Sequence, residues 1–339
     1  RCNVLLIMRR PVSQMRGTFV TALLLICTIP LAAPGREIER VQYHMGTYAR
    51  VYVHGGSHDD VNYAFETIKR LDLLLSDYKP DSQVSQISGM AGKAPVTVSP
   101  EVVEVLTTAK RVAAETGGAF DPTIGAVTIG VYRFGREDAR PPDEDELTRA
   151  KSLVDYNSLI LKDDTAYLEK EGMMLDLGGI GKGYAADKAA EALKSRGIKE
   201  GMVALSGDMK IFGYDTEIGI RSPTGGPPIA SFRTGKGDLA VSTSGGYERV
   251  IDPGGKSYHH LIVPESGFPG RDFRSVTVVL AGDAALADAY ATSLFTMGRQ
   301  RALGFLDEHP EIGVFLVFSD GGTFYNEAFT RIVKDPKLP

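Results

Sequence analysis

The chain has 339 residues, 43% hydrophobic and 24% charged, which suits a large domain or two interlocked lobes and argues against wholesale disorder. Its net charge of -5, with no basic cluster carrying interleaved aromatics, excludes a general nucleic-acid binder. Cys2 and Cys27 both precede the globular part, so no internal disulfide or CxxC metal site is expected there, and the absence of tryptophan leaves ring stacking to Tyr, Phe or His.

In chain order, residues 1–14 read as an upstream extension, with Met15 a plausible start. Arg16 then precedes an apolar run from Phe19 to about Ile29, followed by Pro30 and the small Ala32 and Ala33. That order gives residues 15–33 the form of a secretory signal. The run is short of the ~20 residues of a spanning helix, and an uncleaved membrane anchor is the other reading. Leu24-Leu25-Ile26-Cys27 resembles a lipoprotein box, although Ile26 is bulky for the residue before the cysteine. The globular part, 34–339, is therefore expected outside the cytoplasm, on the membrane or near it.

Val41–Val53 reads as one strand with a glycine in its middle. Val61, Ala64, Ile68, Leu71 and Leu75 recur at helical spacing over Asp60–Ser76, and Tyr78–Ser82 is a turn. Pro100–Thr116 is a helix with an acidic first turn, stopped by Gly117-Gly118. Residues 136–150 are a charged excursion leading into a short helix. Leu159–Leu161 and Tyr167–Glu169 form a strand pair, and Tyr184–Ser195 is an Ala-rich helix closed by Gly197. Met202–Leu205, Met209–Phe212, Ile218–Ile220, Ser275–Leu280 and Val314–Phe318 are strands, and Ala284–Met297 is a helix. This irregular alternation predicts an α+β fold with mixed, largely antiparallel sheets and packed helices.

Several short segments carry candidate chemistry. In Asp176–Asp187 (DLGGIGKGYAAD), glycines surround Lys182 and open into a helix. Glycines allow close backbone approach, a helix N-terminus offers unpaired N–H groups, and the lysine adds a point charge, all suited to phosphate. The spacing is neither a Walker loop nor GxGxxG, and a tight turn with an exposed lysine accounts for the composition equally well. Asp288 and Thr292 lie four apart on one helix face, ~5–6 Å between Cβ atoms, and offer hard oxygens suited to Mg²⁺ or Ca²⁺. By itself that pair reads as a solvated helix face. His259 and His260 are adjacent in an extended segment and point to opposite sides. One of them has acid–base capacity, and a half-buried strand histidine is the plainer reading. Gly117–Gly125 (GGAFDPTIG), Met45-Gly46-Thr47 and the polar turn Ser242–Gly246 are compatible with ordinary loop chemistry, and no GxSxG elbow occurs.

In order along Met45–Gly298, the segments MGT, SDYKPDSQVSQIS, TGGAFDPTIGAV, DLGGIGKGYAAD, ALSGDMKIFG, IGIRSP, STSGGYER, YHHLIVP and ADAYATSLFTMG resemble the ApbE family of FAD:protein FMN transferases. The resemblance implies an ApbE-like domain over 34–339 that moves FMN from FAD to a Thr or Ser hydroxyl of an acceptor protein and releases AMP. It implies Mg²⁺ held by Asp288, Thr292 and the Gly179 carbonyl. FAD as substrate would contact Met45, Tyr78, Lys79, Pro80, Ala119, Phe120, Asp121, Asp176, Lys182 and Ile262. Asp288, His260 and Lys182 are the candidate catalytic residues, with Asp288 or His260 as base. Acceptors in the family are subunits of membrane redox complexes carrying an Asp-Gly-x-Ser/Thr-Gly-Ala-Thr-like segment, which this chain lacks. Two departures stand out: Val263 where many members have Asp, and Ser206 where glycine is usual. An FAD pyrophosphatase giving FMN and AMP, a non-catalytic flavin binder and a structural surface lipoprotein remain as alternatives at this stage.

Overall fold

A computed structural model describes residues 36–247, 250–251 and 258–339. The expected extension and signal or anchor, residues 1–33, lie outside the described residues. Among the described residues no helix is long and apolar enough to cross a membrane.

The frame is an eight-stranded sheet of β1 (Glu37–His44), β2 (Thr47–His54), β3 (Glu200–Leu205), β4 (Asp208–Phe212), β5 (Leu239–Gly245), β6 (Phe273–Leu280), β7 (Gly313–Phe318) and β8 (Thr323–Tyr325). The strands lie side by side in chain order, each antiparallel to its neighbours. Between β2 and β3 the chain leaves the sheet to build α1 (His58–Leu75), α2 (Pro100–Glu115) and α3 (Gly181–Ser195). Between β6 and β7 it forms α4 (Ala284–Met297).

Alternation along the strands divides the core. Ala49, Val51, Val53, Val203, Leu205, Val276 and Val278 belong to one apolar cluster with buried residues of α1, α2, α3 and α4. The alternate residues Ile211, Leu239, Val241, Val279 and Phe315 form a second, completed by Ile218, Phe232 and Phe329. The strands Glu217–Ile220, Ala230–Arg233 and Lys334–Lys337 form a separate three-stranded sheet. In α1, burial of Val61, Ala64, Phe65, Ile68, Leu71 and Leu75 follows the expected spacing. Its start is fixed by a reciprocal cap in which Ser57 Oγ accepts from Asp60 N at 3.3 Å and Asp60 Oδ2 accepts from Ser57 N at 2.9 Å. Asp143 likewise caps Glu144–Lys151, the short helix after the charged excursion.

Three sequence readings change. Val41–Val53 is a hairpin and not one strand: His44 pairs with Thr47 around Met45 and Gly46, which have φ of 51° and 72°. Two successive left-handed residues make the tight turn that matches strand twist. Methionine in the first of those positions hides the usual signal. The α3 helix begins at Gly181, so Lys182 stands in its first turn and not in a loop before it. Ser242–Gly245 is central strand and not a turn, in register with Ser275–Val278. Two of its hydroxyls are satisfied across the sheet, Ser242 on Asp208 and Thr243 Oγ1 with Thr277 Oγ1 2.9 Å away.

Candidate active site

A concavity of about 560 Å³ opens where the β1–β2 turn, the Ser206-Gly207 turn, the end of β5, the start of α3 and the middle of α4 meet. Helices α3 and α4 are fastened there by mutual capping. Ile180, at the start of α3, makes no side-chain cap. Instead Asp288 Oδ2, from α4, accepts the Gly183 amide at 3.0 Å. In return Asp187, from α3, accepts Ala284 N at 2.8 Å and Ala285 N at 2.9 Å at the start of α4. Each helix thus supplies a carboxylate to the other's positive end.

This contact requires glycine. A Cβ on Gly183 would stand 2.0 Å from the Ala284 carbonyl oxygen and 2.9 Å from the Asp288 Cβ. Gly179 is similarly constrained, since a Cβ there would meet Thr292 Oγ1 at 2.8 Å. Gly179 of the loop and Gly183 of α3 therefore bring the backbone onto Thr292 and Asp288. Thr292 Oγ1 also lies 3.3 Å from Ser244 Oγ.

Lys182 joins two buried carboxylates. Its Nζ is 2.9 Å from Asp208 Oδ2 and 3.5 Å from Asp288 Oδ2, and it donates to the Gly178 carbonyl at 3.1 Å. Asp208 also accepts from the Ser242 hydroxyl. Burial, and then the nearby Asp208 charge, push the Asp288 carboxyl up to about 7, against the pull of Lys182 and the Gly183 amide. Asp187 is raised to about 6, mainly by burial, with Lys210 at 3.6 Å opposing.

Gly179, Asp288, Thr292, Lys182, Asp176 and His260 all line the cavity. So do Met45, Tyr78, Lys79, Ala119, Phe120, Asp121 and Ile262. Pro80 does not; it lies in the turn beside Tyr78 and Lys79 and is no part of the wall. Tyr78 donates its hydroxyl to the Phe134 carbonyl at 2.9 Å, and Lys79 pairs with Asp72 at 2.7 Å. Asp176 accepts from Thr128 Oγ1 at 2.6 Å and from Gly178 N at 2.8 Å, tying the glycine loop to the wall. Asp121 is buried, with Oδ1 bonded to Thr123 N at 2.8 Å and to its hydroxyl at 2.6 Å, and Oδ2 to Tyr156 N at 3.1 Å. Its carboxylate therefore braces the loop that presents Ala119 and Phe120. The adjacent histidines separate as expected. His259 faces the Gly270 carbonyl at 2.9 Å and the Phe295 ring, while His260 lines the cavity.

Sequence reasoning missed Asp208, Ser242 and Ser244. Asp208 stood in a segment already singled out, but its partner Lys182 is distant in sequence, so nothing local marked it. Ser206, the departure from glycine, has a φ of 57°, the left-handed conformation that favours glycine, and lines the cavity.

The donors fit a hard divalent cation. The Asp288 side chain is 3% exposed, and its Oδ1 takes no hydrogen bond from the described residues. The Thr292 hydroxyl lines the same cavity, with the Gly179 backbone packed against it. Among the described residues no group of three or more His, Cys, Asp or Glu could hold a metal. The carboxylate and hydroxyl that are present are hard oxygen donors, the type that magnesium takes.

Comparison with known proteins identifies the family. A model of the ApbE family matches residues 45–316. The chain is 30% identical to an FAD:protein FMN transferase of Treponema pallidum over 84% of this chain and 85% of that protein. It is 32% identical to one of Klebsiella pneumoniae over 77% and 83% of the two chains. Among solved structures, the ApbE protein of Thermotoga maritima superposes with a TM-score of 0.81 at 29% identity, covering 88% of this chain and 100% of that one.

Proposed function

This chain belongs to the ApbE family, and from that premise we propose that it is an FAD:protein FMN transferase that moves FMN from FAD to a Ser or Thr hydroxyl of an acceptor protein. The carrying observation is the junction of α3 and α4, where Lys182, the buried Asp288 and Thr292, and a glycine-bared backbone face one cavity. Phosphoryl transfer asks a protein for little covalent chemistry; it asks for positioning and for charge stabilisation.

Asp288, Thr292 and the Gly179 carbonyl would hold Mg²⁺. A bound Mg²⁺ supplies charge neutralisation at the diphosphate oxygens. Lys182 adds a positive charge aimed at the same region, preset by Asp208 and within 3.1 Å of the Gly178 carbonyl. Met45, Tyr78, Ala119, Phe120 and Ile262 give the cavity the apolar and aromatic wall that a flavin or adenine ring needs. The acceptor oxygen forms a bond to the FMN phosphorus as the bond to the bridging oxygen breaks, and AMP leaves with that electron pair. His260 lines the cavity and is our choice to take the hydroxyl proton, because Asp288 is committed to Gly183, Lys182 and the cation site.

We place the reaction in the periplasm, on the strength of the signal-like pattern of residues 15–33, with acceptors in inner-membrane redox complexes. The test mixes the protein with FAD and Mg²⁺, with and without an acceptor domain. Transfer requires FMN on the acceptor and equimolar AMP, both lost on Asp288→Ala. Fast release of free FMN and AMP that the acceptor does not divert would make the chain a pyrophosphatase. FAD binding without turnover would make it a flavin carrier.

A further inference from the structure

Transfer to a protein demands a surface beside the cavity on which a polypeptide can settle, and one part of the rim has unusual exposure. Tyr43 and Tyr48 are 65% and 70% exposed, the highest values among the exposed large hydrophobic residues described. They face each other across β1 and β2 with ring centroids 5.7 Å apart, edge to face. Neither hydroxyl has a hydrogen-bond partner among the described residues. Val41, next along the same strand face, is 49% exposed. Tyr43 also lines the cavity, so this apolar surface runs without a break into the site.

The edge itself points the same way. Among the described residues β1 pairs only with β2, leaving its outer edge open. Open edges are usually guarded by charge. Here the guard covers only the far half, with Glu37, Glu39 and Arg40, and Glu39 is paired to Arg50 at 3.3 Å. The half nearest the cavity is Val41-Gln42-Tyr43-His44. Exposed tyrosines with few rotatable bonds are the residues that anchor protein contacts, and an open edge can take an added extended segment.

We propose that the exposed face and open edge of the hairpin, centred on Tyr43 and Tyr48, dock the acceptor polypeptide next to its modified hydroxyl. This rests on the transfer reading above. A polypeptide is the occupant because the patch is continuous with the cavity into which the acceptor hydroxyl must reach.

The test uses the full chain and a soluble acceptor domain bearing the Asp-Gly-x-Ser/Thr-Gly-Ala-Thr segment. Val41→Ser with Tyr48→Ser alters the patch outside the cavity wall. The expected result is an acceptor KM raised about tenfold or more, with the FAD KM, the acceptor-saturated rate and the melting temperature unchanged. Tyr48→Phe, which keeps the ring, should retain most of the wild-type affinity. The docking surface is refuted if acceptor KM does not move, or if FAD KM rises in parallel with it. It is also refuted if the double variant loses only binding to anionic phospholipid vesicles, which would make the patch a membrane contact. A wild-type protein that leaves the acceptor unmodified sinks the transfer reading itself, and the docking proposal with it. The two failures are therefore distinguishable.

Discussion

Gly183→Ala tests the helix junction with one methyl group. The new Cβ would stand 2.0 Å from the Ala284 carbonyl oxygen, 2.6 Å from its carbonyl carbon and 2.9 Å from the Asp288 Cβ. A tolerable carbon–oxygen contact is about 3.3 Å, so the two helices must part by more than about one ångström. No flexible side-chain tip can yield, because the nearest obstacle is backbone. Overpacking of this kind costs about 1–3 kcal/mol. The same displacement lengthens the Gly183 N to Asp288 bond, now 3.0 Å, and withdraws Asp288 from Lys182. Misplacement by about 1 Å in a phosphoryl-transfer site is worth on the order of 100-fold in rate. We therefore expect a loss of about 100-fold in FMN transfer at saturating FAD and Mg²⁺, with a melting temperature several degrees lower. The control Gly197→Ala, at a position with open space around it but a φ of 85°, should lower stability without a comparable loss of rate. Transfer within about threefold of wild type and an unchanged melting temperature for Gly183→Ala would refute this account of the junction.

Asp288→Asn retains size and an acceptor oxygen but removes the charge; transfer should fall by about 1,000-fold or more and lose its response to added Mg²⁺, measured by AMP release. Asp208→Asn removes the closest carboxylate to Lys182, at 2.9 Å; we expect about a tenfold loss in kcat/KM for FAD with the fold intact by circular dichroism. Asp187 carries a pH signature. Its carboxyl is held at about 6 in the fold against an ordinary value of 3.8. Raised in the folded state, it contributes stability that is present below about pH 4 and lost as pH rises through about 6. The shift corresponds to about 3 kcal/mol. Asp187→Asn should remove that slope, so its unfolding free energy relative to wild type should improve by about that amount between pH 4 and pH 7. Denaturant titrations at the two pH values check it, and parallel pH profiles for the two proteins would contradict it.

Much of this architecture was legible in sequence, for identifiable reasons. The buried faces of α1 and α2 repeat at helical spacing, so their burial could be read directly. The glycine loop and the Asp288–Thr292 pair were visible as chemistry, although neither alone outweighed a plain surface reading. What joined them is tertiary: Gly183 lies against Ala284, and Gly179 against Thr292. The failures share a cause as well. The β1–β2 turn uses Met45 at a left-handed position, so its strongest local signal is missing. Strand β5 carries hydroxyls facing Asp208, Thr277 and Thr292, so its serines and threonines mimic a loop. Asp208 escaped because its role depends on Lys182, which is brought to it only when α3 packs on the sheet.

Intact mass of a co-expressed acceptor domain addresses the central claim most directly. The account requires one added FMN, less one water, on a single Ser or Thr of the acceptor, present with the wild-type chain and absent with Asp288→Asn. An acceptor of unchanged mass in the presence of FAD that is being cleaved would contradict it.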